Sequence, residues 1–144
     1  MILYLDSSAV VKLYVHESGS AQTSKLVEET DLVGTSRITR AEVSAALSKA
    51  VRMKMLTAEE GAEAIKLFRG RWADLMILEV SEDVVESADL MAWSHGLRGY
   101  DAVHLAAAQS WQTALKEPVT LATYDKDLWQ AAQSVGLTVW PTAL

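Results

Sequence analysis

The segment Ile2-Leu3-Tyr4-Leu5-Asp6-Ser7-Ser8-Ala9-Val10-Val11-Lys12-Leu13-Tyr14 decides the fold. Ile2 to Leu5 is a short apolar run of the length of a buried strand, and it stops at an acidic residue. Ser7 and Ser8 then favour the start of a helix, read over Ala9 to Tyr14. Strand followed by helix is the repeating unit, and the rest of the chain follows it. Gly19 breaks the first helix, Gln22 to Thr30 reads as a second, and Asp31 to Thr35 as a second strand. Ser36 is placed as the cap of a long helix in which Ile38, Ala41, Ala45, Leu47, Ala50 and Val51 recur at helical spacing. Thr57 and Glu60 form a capping box for a helix from Ala58 to about Trp72, so these two helices read as a hairpin.

Met76 to Val80 is a third apolar run, and Ser81 caps a helix to about His95, followed by Gly96 and Gly99. Tyr100 to Leu115 is helical, Val119 to Ala122 a strand, Tyr124 to Val135 a helix stopped by Gly136, and Leu137 to Trp140 a last strand. Strands separated by helices require crossovers and therefore a mostly parallel sheet covered on both faces. The expected fold is a three-layer α/β/α domain with a protruding helical hairpin. No repeat, linker or low-complexity tract divides the chain, so residues 1–144 are expected to form one domain.

Half of the 144 residues are apolar, enough for a sizeable core. There is no cysteine, which removes disulfides, thiol nucleophiles and thiolate zinc sites. The five residues before Asp6 lack a basic leader and are not expected to be a signal peptide; no stretch approaches a membrane span, and the cytoplasm is the expected compartment. A net charge of −6 is unusual for a protein that binds phosphates. Gathering several acids around a bound cation reverses the sign that a substrate meets locally.

Four acids stand out by position. Asp6 closes the first strand and Asp125 follows Val119 to Ala122, and in open α/β sheets the carboxyl ends of the strands border the crevice. Glu42 shares a helix side with Ile38, Ala45 and Ala46, and Asp101 shares one with Leu97, His104, Leu105 and Ala108. Both are expected to point inward, and no basic residue is placed at matching positions to pair with them. Like charges about 6 Å apart at an effective dielectric of ~20 repel by roughly 3 kcal/mol per pair. Such a group must hold protons or cations, and all-oxygen donors favour magnesium or manganese. A cation there suits phosphodiester hydrolysis. Taken singly, each of these acids also reads as a cap, a turn residue or half of a salt bridge; Asp6 and Asp125 each precede a helix.

These residues resemble the PIN-domain family, and within it the VapC toxins. Leu5-Asp6-Ser7-Ser8-Ala9-Val10-Val11-Lys12-Leu13-Tyr14 resembles the first family motif, and Thr39-Arg40-Ala41-Glu42-Val43 the second. Arg98-Gly99-Tyr100-Asp101-Ala102-Val103-His104-Leu105-Ala106-Ala107-Ala108 is similar to the third, and Leu121-Ala122-Thr123-Tyr124-Asp125-Lys126-Asp127-Leu128 to the fourth. The resemblance implies that Asp6, Glu42, Asp101 and Asp125 are catalytic and bind Mg2+ or Mn2+, with Ser8 and Thr123 as hydrogen-bonding support. Asp127 either supports the site from outside or faces solvent. It further implies an endoribonuclease acting on tRNA or rRNA, a cognate antitoxin partner and a homodimer. The competing reading is a PIN-like module that binds RNA or protein without cutting. An aspartyl-nucleophile phosphatase is disfavoured because Ser8 stands where an Asp-x-Asp pattern needs a second acid.

Arg37, Arg40, Lys49, Arg98 and Lys126 are the candidate phosphate contacts, with a solvated helix surface as the plainer reading. His104 reads as a core histidine with one hydrogen bond. Met53, Met55, Phe68 and Trp72 are candidates for an apolar groove that takes a partner helix, and five tryptophans hint at partner surfaces.

Overall fold

A computed structural model describes residues 1–144. Five parallel strands, β1 (Ile2–Leu5), β2 (Leu32–Ser36), β3 (Met76–Leu78), β4 (Val119–Ala122) and β5 (Thr138–Trp140), stand in the order β3-β2-β1-β4-β5. Seven helices connect and cover them: α1 (Ser7–Lys12), α2 (Ser20–Glu28), α3 (Thr39–Arg52), α4 (Ala58–Arg71), α5 (Glu82–His95), α6 (Gly99–Leu115) and α7 (Lys126–Ser134). The expected α/β architecture is present, and the sheet is parallel throughout rather than mostly so.

Alternation along β1 separates the two faces of the core. Tyr4 points into a cluster with Val84 and Ala88 of α5, Leu105 and Trp111 of α6, and Leu128 and Ala132 of α7. Leu3 and Leu5 point the other way, to Val10 of α1, Val43 and Leu47 of α3, and Ala64 and Phe68 of α4. All of β1 from Leu3 to Leu5 is inaccessible to solvent, as expected for the middle strand of a sheet covered on both sides. Gly34 in β2 meets this packing directly, since a Cβ there would lie 2.7 Å from the ring of Trp111.

The helical hairpin is α3 and α4, and Thr57 and Glu60 make both hydrogen bonds of the capping box. It seats on the sheet through Val43, Leu47, Ala64 and Phe68, while its turn carries the exposed Met53 and Met55. Ser36 is not a helix cap. It is the buried last residue of β2, and α3 begins at Thr39 after a short turn. The first helix likewise starts and ends earlier than expected, because Asp6 rather than a serine caps it.

The chain runs outward from β1 to β2 and β3, then returns to place β4 on the other side of β1. The direction of winding therefore reverses between β1 and β4. A crevice opens at the carboxyl ends of the strands at such a reversal. Asp6 and Asp125 follow those two strand ends.

Candidate active site

Asp6 occupies the reversal point and is 2 % exposed. Its Oδ1 accepts hydrogen bonds from the Ser8 hydroxyl at 2.7 Å and the Ala9 amide at 2.9 Å, the second being the cap of α1. Its Oδ2 accepts from the Thr123 hydroxyl at 2.6 Å. Thr123 also accepts the Asp125 amide at 3.0 Å, and Ser8 accepts the Tyr124 amide at 2.9 Å. Two hydroxyls thus stitch the loop after β4 to the loop after β1. Burial pushes the Asp6 carboxyl above the usual carboxylate range, opposed by the nearby His104 and by its own hydrogen bonds.

Asp125 caps α7 through a bond from the Leu128 amide at 2.9 Å, so its backbone role and its placement at the crevice coexist. Asp101 lies in the first turn of α6 and is largely buried. Arg98, three residues earlier, donates from Nε to Asp101 at 2.9 Å and from a terminal nitrogen to Asp125 at 2.7 Å. The expectation that no basic residue matches these acids is thereby corrected. A helical i,i+3 spacing puts Arg98 beside Asp101, and the tertiary fold brings Asp125 to the same guanidinium. Burial raises the Asp101 carboxyl first; Arg98 opposes this, and the charges of Asp125 and Asp6 add to it. Arg98 thus links Asp101 to Asp125, and Thr123 links Asp6 to the backbone of Asp125.

Glu42 comes from α3, on the opposite side of the sheet from α6. Ala45 and Ala46 are exposed, and the buried stripe of α3 is Thr39, Val43 and Leu47, so Glu42 borders the packed side rather than lying within it. What turns its carboxylate inward is His104, whose Nε2 lies 2.7 Å from Oε1. The other ring nitrogen of His104 is 2.8 Å from the Tyr4 hydroxyl. His104 is therefore a core histidine as expected, but it makes two hydrogen bonds and one of them is to a site acid.

The donor chemistry of the four acids is all oxygen and fits a hard divalent cation. No group of three or more histidine, aspartate or glutamate side chains stands close enough together to enclose an ion in this arrangement. Arg98 holds one oxygen each of Asp101 and Asp125, and His104 holds one of Glu42. The remaining oxygens, Oδ1 of Asp101 and Oε2 of Glu42, keep their acceptor capacity.

None of the other basic candidates pairs with these acids. Arg37 pairs with Glu79, the Arg40 guanidinium stacks 5.5 Å from the Trp72 ring, and Lys49 and Lys126 are exposed. Asp127 is exposed in the first turn of α7. Phe68 and Trp72 are core residues, which removes them from the expected groove; Met53 and Met55 do border one, with Val11, Val15, Ala50 and Leu56. Trp93 is the one tryptophan with a broadly exposed ring, at 91 %.

The PIN-domain family profile matches residues 3–133. The ribonuclease VapC45 of Mycobacterium tuberculosis is 38% identical over 144 residues, covering 99% of this chain and 97% of that protein. Among solved structures, PAE2754 from Pyrobaculum aerophilum aligns with a TM-score of 0.71 at 21% identity, over 96% of this chain and 89% of that one. VapBC2 from Rickettsia felis, bound to a DNA fragment from its promoter, aligns with a TM-score of 0.64 at 18% identity, over 96% and 97% of the two chains. The two structures share the fold.

Proposed function

This chain belongs to the PIN-domain family, and from that premise we propose that it is a divalent-metal-dependent endoribonuclease, the toxin of a toxin-antitoxin pair. The observation that carries the reading is the hydrogen-bonded linkage of Asp6, Asp101 and Asp125 through Thr123 and Arg98 at the β1–β4 reversal, with Glu42 tied to the same helix as Asp101 by His104. An ordinary core would not bury Asp6 and Asp101, whose carboxyls burial raises, beside a further acid.

Asp6, Glu42, Asp101 and Asp125 are the residues that would hold Mg2+ or Mn2+. Such a cation would supply Lewis-acid polarisation of a phosphodiester and activation of water. The chain's own residues supply the rest. Ser8 and Thr123 fix both oxygens of Asp6, so the carboxylate is oriented before substrate arrives. Arg98 is 61% exposed at the rim and carries the positive charge nearest the acids, where an RNA phosphate meets it. The net charge of −6 makes that local positive potential more important than any long-range attraction.

The substrate class is structured RNA, tRNA or rRNA, and the partner is an antitoxin whose apolar segment covers the groove bordered by Met53 and Met55. The VapBC2 complex supports a partner of this kind. Homodimerisation and a cytoplasmic location complete the reading; no helix is long and apolar enough to cross a membrane.

The test is cleavage of a structured RNA by the purified chain with magnesium and with excess chelator. Cutting with magnesium only, leaving 5′-phosphate ends and vanishing in Asp101→Asn with circular dichroism intact, is expected. Equal cutting in chelator refutes metal dependence, and binding without cutting favours the non-cleaving module.

A further inference from the structure

His104 lies one helical turn past Asp101 on α6, with 1% of its side chain exposed. Its two nitrogens are committed to different elements: Nε2 to Glu42 on α3 at 2.7 Å and Nδ1 to Tyr4 on β1 at 2.8 Å. The rings of Tyr4 and His104 meet edge to face with centroids 5.9 Å apart. A carboxylate only accepts, so Nε2 carries the hydrogen and donates it to Glu42. Tyr4 is fully buried, and its hydroxyl meets Nδ1 from the middle strand of the sheet. The phenol hydroxyl is in place to donate to Nδ1. With Nε2 facing Glu42 and Nδ1 facing the phenol, only one ring orientation satisfies both nitrogens.

We propose that His104, held by Tyr4, is a positioning residue that fixes Glu42 relative to Asp101. The inference rests on the metal-site reading above and adds to it a residue outside the four acids. The physical need comes from topology. Asp101 belongs to the helices packed on one face of the sheet and Glu42 to those on the other. Glu42 is a long side chain bordering its helix's buried stripe, and His104 is the one side chain that ties its carboxylate down. Because His104 and Asp101 share α6 one turn apart, anchoring Glu42 to His104 sets its distance from Asp101. Tyr4 extends the tie to β1, two residues before Asp6. A chain of Tyr4, His104 and Glu42 thus registers three of the segments that supply site acids.

The experiment is calorimetric titration of the purified full chain with Mn2+. His104→Leu weakens Mn2+ binding about 10- to 100-fold, the usual cost of losing a group that orients a metal ligand. His104→Gln, which keeps an N–H near the Nε2 position, recovers most of that loss. In a Glu42→Gln background His104→Leu changes affinity by less than about threefold, because the carboxylate it positions is gone. Equal losses from Leu and Gln, or the same loss with and without the Glu42 carboxylate, overturn the proposal. If His104→Leu does not fold, Tyr4→Phe removes a single hydroxyl and is expected to weaken Mn2+ binding; unchanged affinity overturns it. Nitrogen-15 NMR of the wild-type imidazole is expected to show a hydrogen on Nε2, and an Nε2 without one also overturns the proposal. A wild type that binds no Mn2+ fells the metal-site reading and this inference together, whereas tight wild-type binding unaltered by His104→Leu fells this inference alone.

Discussion

Thr123→Val tests whether the stitch between the two strand ends holds the site together. Valine matches threonine in shape, so the substitution removes a hydroxyl and opens no cavity. The hydroxyl donates to Asp6 at 2.6 Å and accepts the Asp125 amide at 3.0 Å, and Thr123 is fully buried. A hydrogen bond to a charged acceptor contributes about 1.5–3 kcal/mol, and the orphaned amide adds about 1 kcal/mol at a position that water reaches. The expected loss is about 3 kcal/mol, or a fall in Tm of roughly 10 °C for a domain of this size. The bond favours ionised Asp6, since it lowers a carboxyl that burial has raised. Its contribution is therefore present when Asp6 is charged and fades as pH falls through the folded-state pKa of Asp6. Urea unfolding in chelator, at one protein concentration, should give the full loss near neutral pH and a smaller one at about pH 4. A Tm within about 2 °C of wild type at neutral pH, or the same loss at both pH values, refutes the reasoning.

Asp6→Asn should abolish RNA cleavage, and in chelator its Tm relative to wild type should be higher near neutral pH than at about pH 4. Burial raises the folded-state pKa of Asp6, so its contribution to stability is present below the unfolded value and lost as pH rises through the folded one. Asparagine keeps the helix cap without the charge but cannot accept the Thr123 hydroxyl, so the pH trend is the test; a relative Tm that does not fall between neutral pH and about pH 4 contradicts this. Arg98→Ala should cost only about 1 kcal/mol in chelator, because its guanidinium is 61% exposed, while Mn2+ should raise the variant's Tm more than the wild type's. Equal shifts in the two proteins would show that Arg98 does not compete for these carboxylates. Gly34→Ala should destabilise by about 1–3 kcal/mol in urea unfolding, since its Cβ would meet Trp111 at 2.7 Å and the Met76 carbonyl oxygen at 3.1 Å; a neutral result would mean that β2 and α6 pack more loosely than the structure shows.

Local pattern made most of the architecture readable. Ile2 to Leu5 is apolar at every position because its strand is covered on both faces, and that alone marks it as central. Thr57 with Glu60, Ser81 and Gly96 carry caps whose chemistry is confined to a few neighbouring residues, so their helix ends fell where the sequence places them. Ser36 misled for the same reason: its side chain suits a cap, but strand pairing with Leu78 claims its backbone. Phe68 and Trp72 carry no local mark that separates a groove from a core, and the sheet buries both.

The chain alone determined the alternation of strand and helix, and so a parallel sheet with Asp6 and Asp125 at strand ends, because periodicity and capping depend on neighbours in sequence. Only the tertiary structure decided the company those acids keep. Arg98 reaches Asp125 across 27 positions, Thr123 reaches Asp6 across 117, and His104 reaches Glu42 across 62. Hydrogen bonds between side chains act over about 3 Å and leave no periodic trace along the chain, so the return of β4 beside β1 and the crossing of α6 toward α3 had to be seen in space.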